Sequence, residues 1–166
     1  LQAGLRYDLA HTNITGFYDN ALASHLQDEG YDSQIIQQYA QRAYDVNRNF
    51  GNWSASVGTK YIFGQSMYLQ ASVGKTFRFP SANELGTNGV HHAAFRYEIG
   101  NPDLKSENGY TFDIDYYFNN DDRIVVNFSP FINYYTNFIF LDRVTDSPVD
   151  LYEEQPYRYN QAKAVL

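Results

Sequence analysis

The sequence predicts an all-β chain, a segment of an antiparallel up-and-down transmembrane β-barrel with about six strands, long loops on one side and short turns on the other. Three observations carry this. Apolar and polar residues alternate with a period of two along stretch after stretch. The connections between those stretches go long, short, long, short, long. The chain holds 16 Tyr, 12 Phe and one Trp among 166 residues, yet only 19% are charged and the mean hydropathy is −0.52. Many aromatics with many Asn, Gln, Ser and Thr suit a sheet that is wet on one face and greasy on the other.

The first stretch is Leu1 to Leu9, where Leu1, Ala3, Leu5, Tyr7 and Leu9 oppose Gln2, Gly4, Arg6 and Asp8. A long connection, 10–49, follows. Within it Ser33 is positioned to cap a short helix whose apolar face is Ile35, Ile36, Tyr39, Ala40, Ala43 and Tyr44. Another short turn is expected over Asn20 to Gln27, stopping near Gly30. From Phe50 to Phe63, Trp53, Ala55, Val57, Thr59, Tyr61 and Phe63 share one face. The turn Gly64-Gln65-Ser66 leads into Met67, Leu69, Ala71 and Val73, which face away from Tyr68, Gln70, Ser72, Gly74 and Thr76. Arg78-Phe79-Pro80 ends this strand, because Pro cannot donate to a ladder.

The next long connection is 79–108. Asn101-Pro102 predicts a turn there, since the residue before Pro is pushed out of the helical region. Tyr110, Phe112, Ile114, Tyr116 and Phe118 then alternate with Thr111, Asp113, Asp115 and Tyr117. Asn119-Asn120-Asp121-Asp122 is a short turn. The strand from Arg123 places Ile124, Val126, Phe128, Ile132 and Tyr134 against Asn127, Ser129 and Asn133. The last long loop, 139–156, is acidic through Asp142, Asp146, Asp150, Glu153 and Glu154, and a less regular strand starts at Tyr157.

Strands of this kind fit a membrane: at ~3.3 Å per residue and ~45° tilt, ten residues span roughly 23 Å, close to the ~25 Å apolar band of such barrels. Tyr61, Phe63, Tyr116 and Phe118 sit beside the short turns, where an interfacial aromatic girdle lies. Asp113 and Asp115 then face a wet lumen. The competing fold is a soluble β-sandwich that binds glycan through Tyr, Trp and Asn, and a further alternative is a passive porin or adhesin barrel. The chain begins and ends inside strand-like patterns and lacks an initiator Met, so residues 1–166 are expected to be part of one β-barrel domain of a larger protein.

Composition excludes several functions. A net charge of −7 argues against nucleic acid as a partner, because phosphate binding needs a basic surface. The chain has no Cys, so it forms no disulfide and no thiolate metal site. It carries no Gly-x-Ser-x-Gly, no phosphate-binding Gly-rich loop and no His-Glu-x-x-His. The Asp113/Asp115 pair is explained by a wet interior more simply than by glycosidase chemistry. No enzymatic activity is expected, and no cofactor is required.

The connection at 78–108 carries the most specific text: Arg78-Phe79-Pro80, Glu84-Leu85, Asn88-Gly89-Val90-His91-His92, Tyr97-Glu98-Ile99-Gly100-Asn101-Pro102-Asp103-Leu104 and Glu107. In this order it resembles the late barrel region of TonB-dependent outer-membrane receptors, and most of all their zinc- and haem-associated branch. Asn133 to Leu141 and Tyr157 to Ala164 are similar to the strands that follow in that family. The likeness covers about 75–166, while 1–74 agrees in strand pattern. Phe79 departs from it, standing where members often carry Ala.

The resemblance implies a place in the bacterial outer membrane, contact with its lipid, and active import of a scarce nutrient. Zinc is the first expectation, then haem or an iron chelate. It also implies coupling to the TonB complex through an N-terminal region and plug domain not contained in this chain.

His91 and His92 are the leading metal or haem contacts. Zinc needs three or four ligands, so others must join them. Glu98 and Glu84 lie in the same connection, and His25 with Asp28 or Glu29 is a further candidate, since i, i+3 and i, i+4 share a helix face. His11 begins the first connection, so all four histidines are expected in loops of one side. The alternative is that they are solvated, or pack one loop on another. Glu107 either pairs with Arg78 across the lumen or is solvated.

Overall fold

The structure is a computed structural model that describes residues 1–120, 123–145 and 155–166, with His92 described by its backbone alone. The chain folds into β1 (Gln2–Ile14), β2 (Phe17–Tyr18), α1 (Asn20–Asp28), α2 (Ser33–Ala40), β3 (Gln41–Ala43), β4 (Val46–Phe63) and β5 (Met67–Arg78). There follow α3 (Ala82–Gly86), β6 (Asn88–His91), a single 3-10 turn (His92–Ala94), β7 (Arg96–Ile99), β8 (Glu107–Asn120), β9 (Ile124–Phe128), β10 (Phe131–Arg143) and β11 (Pro156–Val165).

The main sheet runs β1-β4-β5-β8-β10-β11, each strand antiparallel to the one before, which is the predicted up-and-down order. The β6–β7 hairpin extends it by a parallel pairing of β7 with β11, and the sheet stays open. The strand predicted from Arg123 is two strands along one partner. β9 pairs with β8 at Tyr116–Asn120 and β10 pairs at Asn108–Asp113. The break falls at Ser129-Pro130, where Pro130 has no N–H for the ladder.

The pairing places the turn after β4 beside the end of β8, where Asn119 N–H donates to the Ser66 carbonyl at 2.8 Å, while Asp121 and Asp122 of the predicted short turn lie outside the described residues. Gly64 takes φ +64 there, a conformation that favours glycine. Several predicted loop boundaries move. β1 runs on to Ile14 and β4 starts at Val46, because polar pairs such as His11↔Asn49 and Asn13↔Asn47 continue the ladder above the apolar stretch. β10 continues to Arg143, so Asp142 and Arg143 belong to a strand. The acidic residues Asp146, Asp150, Glu153 and Glu154 lie outside the described residues.

The two faces of the sheet differ in what covers them. One carries the loop layer, whose core joins Val46 and Phe50 of β4 to Leu85, Leu104 and Ile139. The other is bare. Leu5 and Leu9 are about four-fifths exposed on it (80% and 78%), and the row Val57↔Val73↔Phe112↔Ile132 is exposed along its whole width. A bare apolar face of this extent is what a lipid-facing wall presents, and it sets the sandwich aside, since a sandwich buries that face against a second sheet.

Aromatics border the bare face at two heights. Tyr61 and Phe63 meet beside the short turns with ring centroids 4.5 Å apart. Tyr7, Trp53, Tyr110 and Tyr134 form the other row. Lys75 is the only Lys, Arg, Asp or Glu among the described residues of that face in β1, β4, β5, β8 and β9. It lies over the Trp53 ring at 4.2 Å and donates to the Trp53 carbonyl at 2.7 Å.

Candidate functional site

The loop layer opposite the short turns is the candidate site, and its base is a charged staple. Glu84 accepts two hydrogen bonds from Arg78 Nη1, at 2.9 and 2.8 Å, and a third from Ser81 N–H at 2.7 Å. The Ser81 hydroxyl accepts from Glu84 N–H in return, a capping box that starts α3. Arg78 Nη2 also reaches Glu107 at 3.4 Å, and Glu107 accepts the Ile139 N–H at 2.9 Å. Arg78 and Glu107 therefore do pair, but as neighbours on adjacent strands rather than across a lumen. Phe79 packs its ring against Phe50 at 5.7 Å and Phe77 at 4.9 Å, which gives this aromatic a structural role at its unusual position.

The Gly100 to Leu104 stretch folds back onto this staple. A Cβ on Gly100 would stand 2.8 to 2.9 Å from the backbone of Leu85, Gly86 and Thr87, so only glycine allows the approach. Asn101 accepts from Asp103 N–H at 3.0 Å and closes the predicted turn, with Leu104 N–H donating to the Asn101 carbonyl at 3.3 Å. Leu104 then drops into the core, and Arg48 holds the turn by donating to the Leu104 carbonyl at 2.9 Å and to the Pro102 carbonyl.

The first long connection covers the second. Asp19 caps α1 through Leu22 N–H. Asp32, not Ser33, caps α2, accepting from Gln34 and Ile35 N–H, because Asp32 is the extended residue before the first helical turn. The helix stops at Ala40, so Ala43 lies in β3 rather than on a helical face. Tyr39 packs edge-on against Tyr97 at 5.4 Å, within a cluster formed with Leu26 and Ile99. Asn88, 1% exposed, joins the two connections. Its Nδ2 donates to the Gln38 carbonyl at 2.7 Å and the Gln41 carbonyl, and its Oδ1 accepts from the Tyr97 hydroxyl at 3.1 Å.

The predicted ligand residues are spread across this layer. His91 is exposed at the end of β6, paired in register with Arg96, and His92 opens the 3-10 turn. Glu98 is buried, receives Arg96 Nε at 2.7 Å and accepts from the Tyr159 hydroxyl at 2.9 Å. His25 is exposed in the last turn of α1. His11 lies in β1, its Nδ1 2.9 Å from Asn49 Oδ1, so the expectation that no histidine falls in a strand is corrected for His11 and for His91. Among the described residues no three His, Asp or Glu side chains gather as a metal set. Asn88, Gly100 and Arg48, which build the layer, carry signals of packing rather than of ligand chemistry and escape a search for ligands.

A sheet whose six long strands run antiparallel, with one bare apolar face, a short turn at one end and a folded loop layer at the other, defines a wall segment of a transmembrane β-barrel. No helix among the described residues is long and apolar enough to cross a membrane. The chain belongs to the TonB-dependent receptor family, whose members are outer-membrane proteins: the family description "TonB dependent receptor-like, beta-barrel" matches residues 1–165. Membership sets aside the passive porin or adhesin.

Among solved structures, the Serratia marcescens hemophore receptor HasR, determined as a double mutant in complex with its hemophore HasA and heme, is similar over 98% of this chain and 27% of its own. It shows 19% identity and a TM-score of 0.64. The siderophore receptor PirA from Pseudomonas aeruginosa is similar over 73% of this chain and 25% of its own, with 22% identity and a TM-score of 0.55. The chain thus spans about a quarter of the length of these structures. No curated protein matches it at a significant level.

Proposed function

We propose that this chain supplies part of the wall and mouth of an outer-membrane receptor that binds a scarce nutrient and imports it with energy from the TonB complex. The family match over residues 1–165 carries this reading. Energy enters through an N-terminal region outside these residues. No covalent bond of the nutrient is made or broken, so the activity is transport, not catalysis.

The nutrient is haem or an iron chelate ahead of zinc. The two similar structures are receptors for a hemophore and for a siderophore. Haem iron accepts an axial imidazole, and His91 presents an exposed one on a hairpin strand. Zinc asks for three or four ligands, and Glu98 is engaged by Arg96 and Tyr159. His91 is the leading contact, with His92 beside it in sequence, and His25 stands behind them on α1.

The test is titration of the detergent-purified parent receptor with haem and with zinc, beside a His91→Ala/His92→Ala variant. Haem binding that weakens at least about tenfold in the variant supports the assignment. Tight zinc binding without haem binding moves the nutrient to zinc. Uptake that continues without TonB contradicts the import mechanism.

A further inference from the structure

An open cavity of about 1020 Å³ lies between α2, the 44–45 stretch, Pro102 and the start of β11. Its wall on α2 follows from helical spacing. Gln34, Gln37 and Gln38 stand at i, i+3 and i+4 of α2, with Gln41 just past its end, while Ile35, Ile36, Tyr39 and Ala40 turn to the core. Asn88 clamps the carbonyls of Gln38 and Gln41, which fixes the end of this wall. The Gln41 amide is spent on the Ala43 carbonyl at 2.6 Å. Gln34 and Gln37 keep exposed carboxamides at the cavity.

Arg158 also lines the cavity and forms no ion pair among the described residues. Its cross-strand neighbour Asp142 instead accepts from Asn160 at 3.2 Å. Asp45, the acid in the cavity wall, is held by Gly16 N–H at 2.8 Å. Burial pushes the Tyr44 phenol above its usual value, with Arg158 opposing, so Tyr44 keeps its proton and remains a donor beside the guanidinium.

We propose that this cavity is a carboxylate subsite of the imported ligand, with Arg158 as the charge partner and the Gln34 and Gln37 carboxamides as neutral donors. This rests on the import reading above. One planar guanidinium surrounded by amides matches a carboxylate, which it can grip with two parallel hydrogen bonds. A doubly charged phosphate fits less well with Asp45 in the same wall. The volume lies at the upper end of ligand pockets and suits a macrocycle or chelate carrying such a group rather than a lone ion.

The test compares the detergent-purified parent receptor with Arg158→Gln, Arg158→Lys and Gln34→Ala/Gln37→Ala variants. The probes are haem, haem with both propionates esterified, and ferric citrate, and the heat-dependent gel shift of a folded barrel checks each variant. The expected result is that Arg158→Gln weakens haem about tenfold or more, Arg158→Lys retains most of the affinity, and the ester does not distinguish Arg158→Gln from the parent. The same pattern with ferric citrate in place of haem supports the subsite and moves the nutrient to an iron chelate. Haem or ferric citrate binding alike to the parent and to folded variants overturns the subsite and leaves the import reading standing. A parent receptor that binds neither carboxylate probe overturns it as well.

Discussion

Single residues decide whether the loop layer closes. Gly100 lies against backbone rather than flexible side chains, so the neighbours cannot yield to an added methyl. Gly100→Ala is expected to lower the local opening free energy by about 1–3 kcal/mol, read as faster hydrogen exchange at Leu85 and Leu104 in the parent receptor. Leu104→Ala removes a side chain that is 1% exposed, and a loss of about 2–5 kcal/mol is expected by the same measurement. Unchanged exchange in both variants would show that this layer is not packed as described. The sequence hinted at these roles unevenly. Asn101-Pro102 announced its turn through backbone sterics that are local. The need for glycine at position 100 comes from segment 85–87, fourteen or so residues away, and local sterics hold no trace of it.

At the scale of elements, the strands were legible because burial on one face writes a period of two into the chain. The same signal fades where both faces are wet, which is why β1, β4 and β10 run past their predicted ends through His11, Asn47 and Asp142. The β6–β7 hairpin was hidden for another reason. Its four-residue strands are held by Asn88, by the Tyr97 contacts and by pairing with distant β11, all tertiary. α2 is legible because its apolar spacing is helical, although its cap is Asp32 rather than the expected Ser33, a difference within the usual blur of helix ends. The alternation yields a paired prediction. Val73 is on the bare face and Ser72 bonds Asp113 at 2.7 Å on the other. Val73→Arg is expected to destabilise membrane-folded parent receptor by about 2–4 kcal/mol, as charge on a lipid face does near mid-membrane. Ser72→Arg is expected to fold with a smaller loss. Equal losses in lipid-vesicle refolding would contradict the assignment of faces.

At the scale of the whole molecule, the family match and the sheet order agree that the chain is barrel wall, and its connections sort into two ends. Everything proposed for nutrient binding depends on the loop layer lying outside the cell and the short turns lying inside. The histidines and acids suggested a ligand without specifying one, because a ligand set is a matter of which loops meet, and spacing along the chain does not record it. The most direct test of the central claim is cysteine labelling in intact cells expressing the parent receptor, with the unsubstituted receptor as the background. His91→Cys and Gln65→Cys, introduced separately, are treated with a membrane-impermeant maleimide. The account predicts that the His91→Cys receptor labels from outside, and that the Gln65→Cys receptor labels only after the outer membrane is permeabilised. Equal labelling of both in intact cells, or the reverse order, would contradict it.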